Sequence, residues 1–128
     1  MLRNYILKNR FALLFIIFFI SFISCKKDEL PPKPEPSPFS ATLENNIAAF
    51  PANGGTVNIV INAGTNGWWV TLPTNDWCVI NKIYGSGDYK LPVTILPNNT
   101  GMSRSITVTI NPTFNLPPES ITITQNAN

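Results

Sequence analysis

The chain has 128 residues, 44% of them hydrophobic and only 12% charged, with a formal net charge of +2, two cysteines and no histidine. Without histidine there is no Ser-His or Cys-His nucleophile pair and no His-ligated zinc site. Between residues 39 and 128 the charges are Lys82, Lys90 and Arg104 against Glu44, Asp76, Asp88 and Glu119, a net of −1; the basic excess belongs to the N-terminal segments and is not a nucleic-acid footprint.

The first ten residues carry Arg3, Lys8 and Arg10 and no acid, and Phe11 to Ile23 is apolar apart from Ser21. Thirteen residues of helix reach about 20 Å, short of the roughly 30 Å of a bilayer core, so the layout is that of an export signal and not of a membrane span. Ser24 stands just before Cys25, and the bulky Phe22 stands where an ordinary secretory signal needs a small residue. The run Phe22-Ile23-Ser24-Cys25 resembles the lipobox of a bacterial lipoprotein, with Phe22 where that family favours Leu. The resemblance implies cleavage before Cys25, acylation of Cys25 and a membrane partner reached through that lipid, because several chains on one residue give stable anchoring. Lys26-Lys27-Asp28-Glu29 resembles the signal that sends lipoproteins of Bacteroidetes-type bacteria to the outer face of the outer membrane; the periplasmic face is the alternative.

Five prolines fall within residues 31–38. Such a segment forms neither helix nor central strand and favours an extended polyproline conformation. From Lys26 to Pro38 it reaches roughly 40 Å at about 3.1 Å per residue. The expected organisation is a leader over 1–24, a lipidated cysteine and proline-rich linker over 25–38, and one domain over 39–128.

That domain has a period of two. Val57, Ile59 and Ile61 alternate with Asn58, Val60 and Asn62; Ile106, Val108 and Ile110 with Ser105, Thr107 and Thr109; Ile121 and Ile123 with Ser120 and Thr122. These are half-buried strands. Turn clusters at Asn53-Gly54-Gly55, Gly64-Thr65-Asn66-Gly67, Gly85-Ser86-Gly87-Asp88 and Pro97 to Gly101 punctuate them. Strands are expected near 47–50, 56–63, 68–72, 78–82, 89–96, 104–111 and 120–125, making an all-β antiparallel sandwich of about seven strands. Pro92 implies an edge position or an N–H side facing out of its sheet. Cys78 reads as a small buried apolar residue.

An ordered set of features carries a second resemblance: Gly54-Gly55 before a strand, Asn66-Gly67-Trp68-Trp69-Val70, Trp77-Cys78-Val79, Gly85-Ser86-Gly87, Asn98-Asn99-Thr100, Arg104 opening a strand, and Ile121-Thr122-Ile123-Thr124-Gln125. Together they resemble a BACON domain (Bacteroidetes-associated carbohydrate-binding, often N-terminal) over about residues 45–127. The resemblance implies an immunoglobulin-like β-sandwich and a glycan partner, mucin among them. Some such domains look like spacers that hold an enzyme off the membrane, so a structural module that presents a partner protein is the alternative. The family's Asn-x-x-Trp spacing selects Trp69, whereas alternation with Val70 and Leu72 puts Trp68 in the core; adjacent strand residues face opposite ways, so one of the pair is inside and one outside.

Catalysis is not expected. Glycoside hydrolysis needs two placed carboxylates, and acids in turns serve local backbone hydrogen bonds. No cofactor is implied, and one carboxylate, Asp88, is too few for calcium. Glycan binding has a physical route, in which an exposed ring stacks on a sugar's apolar face while amides and carboxylates bond its hydroxyls. The candidates are whichever of Trp68 and Trp69 faces out, Tyr84 and Tyr89 around the glycine loop, Asp88, and Asn66 and Asn99 in turns.

Overall fold

Alternation of β-branched residues with Thr, Ser and Asn drives this chain into strands. A computed structural model describes residues 31–128; the expected leader, Cys25 and the Lys26–Glu29 run lie outside the described residues. Pro34–Asn128 forms one unit with its own core. It holds eight strands: β1 (Ser40–Leu43), β2 (Gly55–Asn62), β3 (Gly67–Thr71), β4 (Cys78–Val79), β5 (Tyr84–Ser86), β6 (Tyr89–Ile95), β7 (Arg104–Pro112) and β8 (Glu119–Gln125). They make two four-stranded antiparallel sheets, ordered β1-β2-β6-β4 and β5-β3-β7-β8. This is the expected all-β sandwich.

The core lies between the sheets. Ile59, Ile61, Leu91 and Val93 of the first sheet meet Trp68, Val108, Ile110 and Ile123 of the second, all of them buried. Each comes from the apolar parity of its strand, so the pleat alone sorts apolar from polar residues. Cys78 is buried with a free thiol, and loss of hydration pushes that thiol's pKa up.

Several strand bounds differ from the sequence expectation, and the strand expected over 78–82 stops at Val79. No strand forms over 47–50, because Asn45 and Asn46 adopt left-handed φ values of 64° and 47° and turn the chain there. Phe50 makes only an isolated bridge to Gln125, while the segment that pairs with β2 is Ser40–Leu43. The cluster Gly85-Ser86-Gly87-Asp88 is only partly a turn, since Tyr84–Ser86 pairs with Gly67–Trp69 as β5. Gly85 is required there: a Cβ would fall inside contact distance of Trp68 Cζ2.

Pro92 sits on β6 opposite Asn58 of β2. On the other side β4 reaches only Thr94 and Ile95, so residue 92 has a partner on one side alone, a place where a missing N–H is tolerated. The body of the sandwich begins at Pro34, ahead of the expected boundary at 39, because part of the proline-rich segment is bonded to it. Asn66 is fully buried; its Oδ1 accepts from the Ser37 amide at 3.0 Å and its Nδ2 donates to the Ser37 carbonyl at 2.8 Å.

Candidate functional site

The outer face of the β5-β3-β7-β8 sheet is built by the polar parity of its strands. Trp69 lies at its centre line, 47% exposed, because Trp68 and Val70 on either side point into the core. The register places Tyr84 of β5 opposite Trp69 on one side and Asn111 of β7 on the other. Tyr84 is 71% exposed. Asn111 Nδ2 donates to Trp69 O at 3.3 Å and to Thr71 Oγ1 at 3.0 Å, which fixes the amide beside the indole and leaves its carbonyl oxygen directed elsewhere. Two aromatic rings and an oriented amide therefore share one row across three strands.

Beside that row the backbone of the β4–β5 connection adds a wall. Val70 N donates to Ile83 O at 2.8 Å, so the ladder continues one step past β5. Asn81, Lys82, Ile83, Tyr84, Gly85 and Ser86 line an open cleft of about 780 Å³. Ile83 is half exposed at its rim.

The remaining sequence candidates have other employment. Trp68 is 2% exposed, its Nε1 donates to Gly87 O at 3.0 Å, and it belongs to the core. Tyr89 packs at the end of the core, its ring centroid 5.7 Å from that of Trp68 and its face covered by Lys82 Nζ at 4.3 Å. Asp88 Oδ1 accepts from the amides of Ala63 at 2.7 Å and Gly64 at 2.8 Å. Those bonds, Gly64 first, hold its carboxyl below the usual range. Asn66 is buried against Ser37, as described above. Asn99 is exposed, yet it precedes Arg104 at the far end of β7 from Asn111, about 20 Å away at roughly 3.3 Å per residue. Of the candidates, the structure brings Trp69 and Tyr84 together and leaves the others elsewhere. Asn111 and Thr71 were missed by sequence reasoning; the signal was present in the alternation of Asn111 with Ile110 and Pro112, but the register that brings it to Trp69 is a tertiary fact.

At the opposite end a polar buckle closes the sandwich. Arg104 lies over the Trp77 ring at 4.5 Å, its Nε donates to Gln125 Oε1 at 2.9 Å, and its Nη2 donates to the carbonyls of Leu96 and Pro97. Gln125 is fully buried and its amide nitrogen donates to Pro51, Ala52 and Leu96 carbonyls. Arg104 and Trp77 are thus engaged in structure. Among the described residues no group of three His, Cys, Asp or Glu side chains is gathered to hold a metal ion.

With this geometry in view, one family's sequence profile, described as "BACON: Putative binding domain, N-terminal", matches residues 67–126, from β3 to the end of β8. Residues 67–126 therefore match the BACON family. Two solved structures share its fold. The Bacteroides ovatus GH5 xyloglucanase in complex with a XXXG heptasaccharide aligns with a TM-score of 0.58 at 23% identity, over 70% of this chain and 19% of that one. A protein from Bacteroides thetaiotaomicron solved by NMR aligns with a TM-score of 0.52 at 19% identity, over 79% of this chain and 97% of that one. The chain therefore spans about a fifth of the xyloglucanase's length. No curated protein matches it.

Proposed function

We propose that this BACON-like domain is a non-catalytic glycan-binding module, carried on a lipid-anchored stalk at the outer surface of a polysaccharide-using bacterium. The observation that carries the reading is the row Tyr84–Trp69–Asn111. A large ring is left half exposed at the middle of a sheet face, where burial would ordinarily claim it, beside a second exposed ring and a fixed amide. Aromatic faces take up the apolar face of a sugar ring and an amide bonds its hydroxyls. The occurrence of the fold within a xyloglucanase chain supports the same reading. So does the employment of the acids: Asp88 holds two amides, and Glu44 holds Lys90 at 2.6 Å and Asn58 at 2.6 Å, leaving neither as a poised acid or base.

A glycan array probed with the full chain tests the reading. Trp69→Ala and Tyr84→Ala should each remove retained signal, while Tyr89→Ala, acting on a packed ring, should reduce stability instead. Retention of a protein partner without any glycan would favour the alternative, a structural spacer or interaction module. For the anchor, Cys25→Ala should release the protein into the soluble fraction of cells; membrane retention of that variant would refute lipid attachment.

A further inference from the structure

We infer that the ligand of this face is an uncharged, extended polysaccharide, and that its footprint runs from the Trp69 row onto the hydroxyl rows of β7 and β8; the inference rests on the glycan-binding reading above. The argument begins with charge. The outward positions of β3, β5, β7 and β8 are Trp, Tyr, Asn, Ser, Thr and Gly, with no acid or base among them. The other sheet differs, since its outer side carries the exposed Lys90–Glu44 pair. Charge has therefore been kept off one face of the sandwich and not off the other. The cation nearest this face, Lys82 in the neighbouring cleft, is drawn over the Tyr89 ring, and Arg104 lies over Trp77 at the other end of the sandwich.

A sialylated, sulfated or uronate-rich glycan brings an anion on many of its residues. Covering that anion with a face that offers no cation removes water and returns nothing, a strongly unfavourable exchange. A neutral sugar chain meets the opposite situation. Its hydroxyls both donate and accept, and so do those of Thr and Ser. On this face the hydroxyls come in facing pairs, Thr107 with Thr122 at 3.4 Å and Thr109 with Ser120 at 3.4 Å. Both contacts are long for O–H···O bonds, so each hydroxyl retains capacity for an outside partner. The two pairs follow one another along β7 and β8, two residues or about 6.7 Å apart at roughly 3.3–3.4 Å per residue, giving a polar strip that continues from the aromatic row. An extended chain can lie along such a strip, whereas a branched, acidic terminal sugar would use only one end of it.

The test compares three polymers against the full chain in mild detergent: a neutral β-linked glucan, a sialylated mucin and a polyuronate. The neutral polymer should bind, with an affinity unchanged from low to high salt, because no charge pair is there to be screened. Trp69→Ala should weaken it by about tenfold, the scale of one aromatic contact. Thr107→Glu, two rows from Trp69 on an exposed strand position, should also weaken it by several-fold while leaving the melting temperature unchanged. Binding of the mucin or polyuronate alone, lost on Trp69→Ala, would overturn the neutral-ligand inference and keep the glycan reading. Binding of the neutral polymer indifferent to Thr107→Glu would confine the site to the aromatic row and overturn the extended footprint. Retention of none of the three polymers would overturn both.

Discussion

Two neighbouring tryptophans carry opposite burdens in this domain. Trp68 is 2% exposed, packs on Gly85 and Tyr89, and bonds Gly87 O, whereas Trp69 stands on the open face. Trp68→Ala should therefore cost about 3–5 kcal/mol of stability, the range for removing a large buried ring. Trp69→Ala should stay within about 0.5 kcal/mol, as exposed substitutions do. Paired chemical-denaturation curves check both, and equal losses would overturn the division of roles. The division was legible in part: alternation with Val70 and Leu72 assigns Trp68 to the core, while spacing by family habit singles out Trp69, and the two statements concern different properties. What Asn66 does was not legible. Its turn context suggests an exposed polar residue, but its amide is consumed by Ser37, twenty-nine residues earlier, and no local pattern announces such a bond.

At the scale of elements, the structure departs from the sequence where a segment is short and its composition reads as turn or linker. β5 is three residues long and contains Gly85, so its composition reads as a turn; the ring of Trp68 is what requires the glycine. Gly85→Ala should overpack this contact and cost about 1–3 kcal/mol, with loss of the edge strand that carries Tyr84. A thermal melt together with the near-ultraviolet signal of the tryptophans would reveal it, and an unchanged melt would show that β5 is free to shift. The strap at Glu35–Ser37 is the second such element. Ser37 and Thr65 share a hydroxyl contact at 2.8 Å, and Thr65 Oγ1 donates to Glu35 O at 2.7 Å. Gly64 has no room for a side chain there, since a Cβ would lie 2.6 Å from Ser37. Asn66→Ala would leave the part-buried amide and carbonyl of Ser37 without their partners, costing about 1 kcal/mol. Amide hydrogen exchange at Ser37 should then rise selectively. The long regular strands β2, β6, β7 and β8 were legible because alternation over seven or more residues has no competing explanation.

For the molecule as a whole, the response to pH follows from a short inventory of ionisable groups. There is no histidine, so no side chain of ordinary pKa changes charge between about pH 5 and 8, and stability should be flat there. The acid limb is set by Asp88 and Glu44, both held below their ordinary values. Asp88 is held by the Gly64 and Ala63 amides; Glu44 is held first by its bond to Lys90 and then by Asn58. A carboxyl whose folded pKa is depressed stabilises the fold fully above its unfolded pKa and loses that contribution as pH falls through the folded one. Stability should therefore hold down to about pH 4, the ordinary carboxylate range, and decline below it. Asp88→Asn keeps an acceptor oxygen for the two amides while removing the titration, so its curve should lie lower at neutral pH and approach the parent curve as the acid limb is descended. Glu44→Gln should behave likewise, and salt should shrink its effect further, because Lys90 is exposed and its pairing is screened. Urea denaturation from pH 7 to pH 2 distinguishes the outcomes: parallel curves for parent and Asp88→Asn across that range would mean that the amide bonds to Asp88 carry no charge-dependent stability. The outer face proposed to bind glycan holds no carboxylate or histidine, so affinity for a neutral polymer should follow the fraction folded and nothing else, staying level from pH 8 to the onset of acid unfolding.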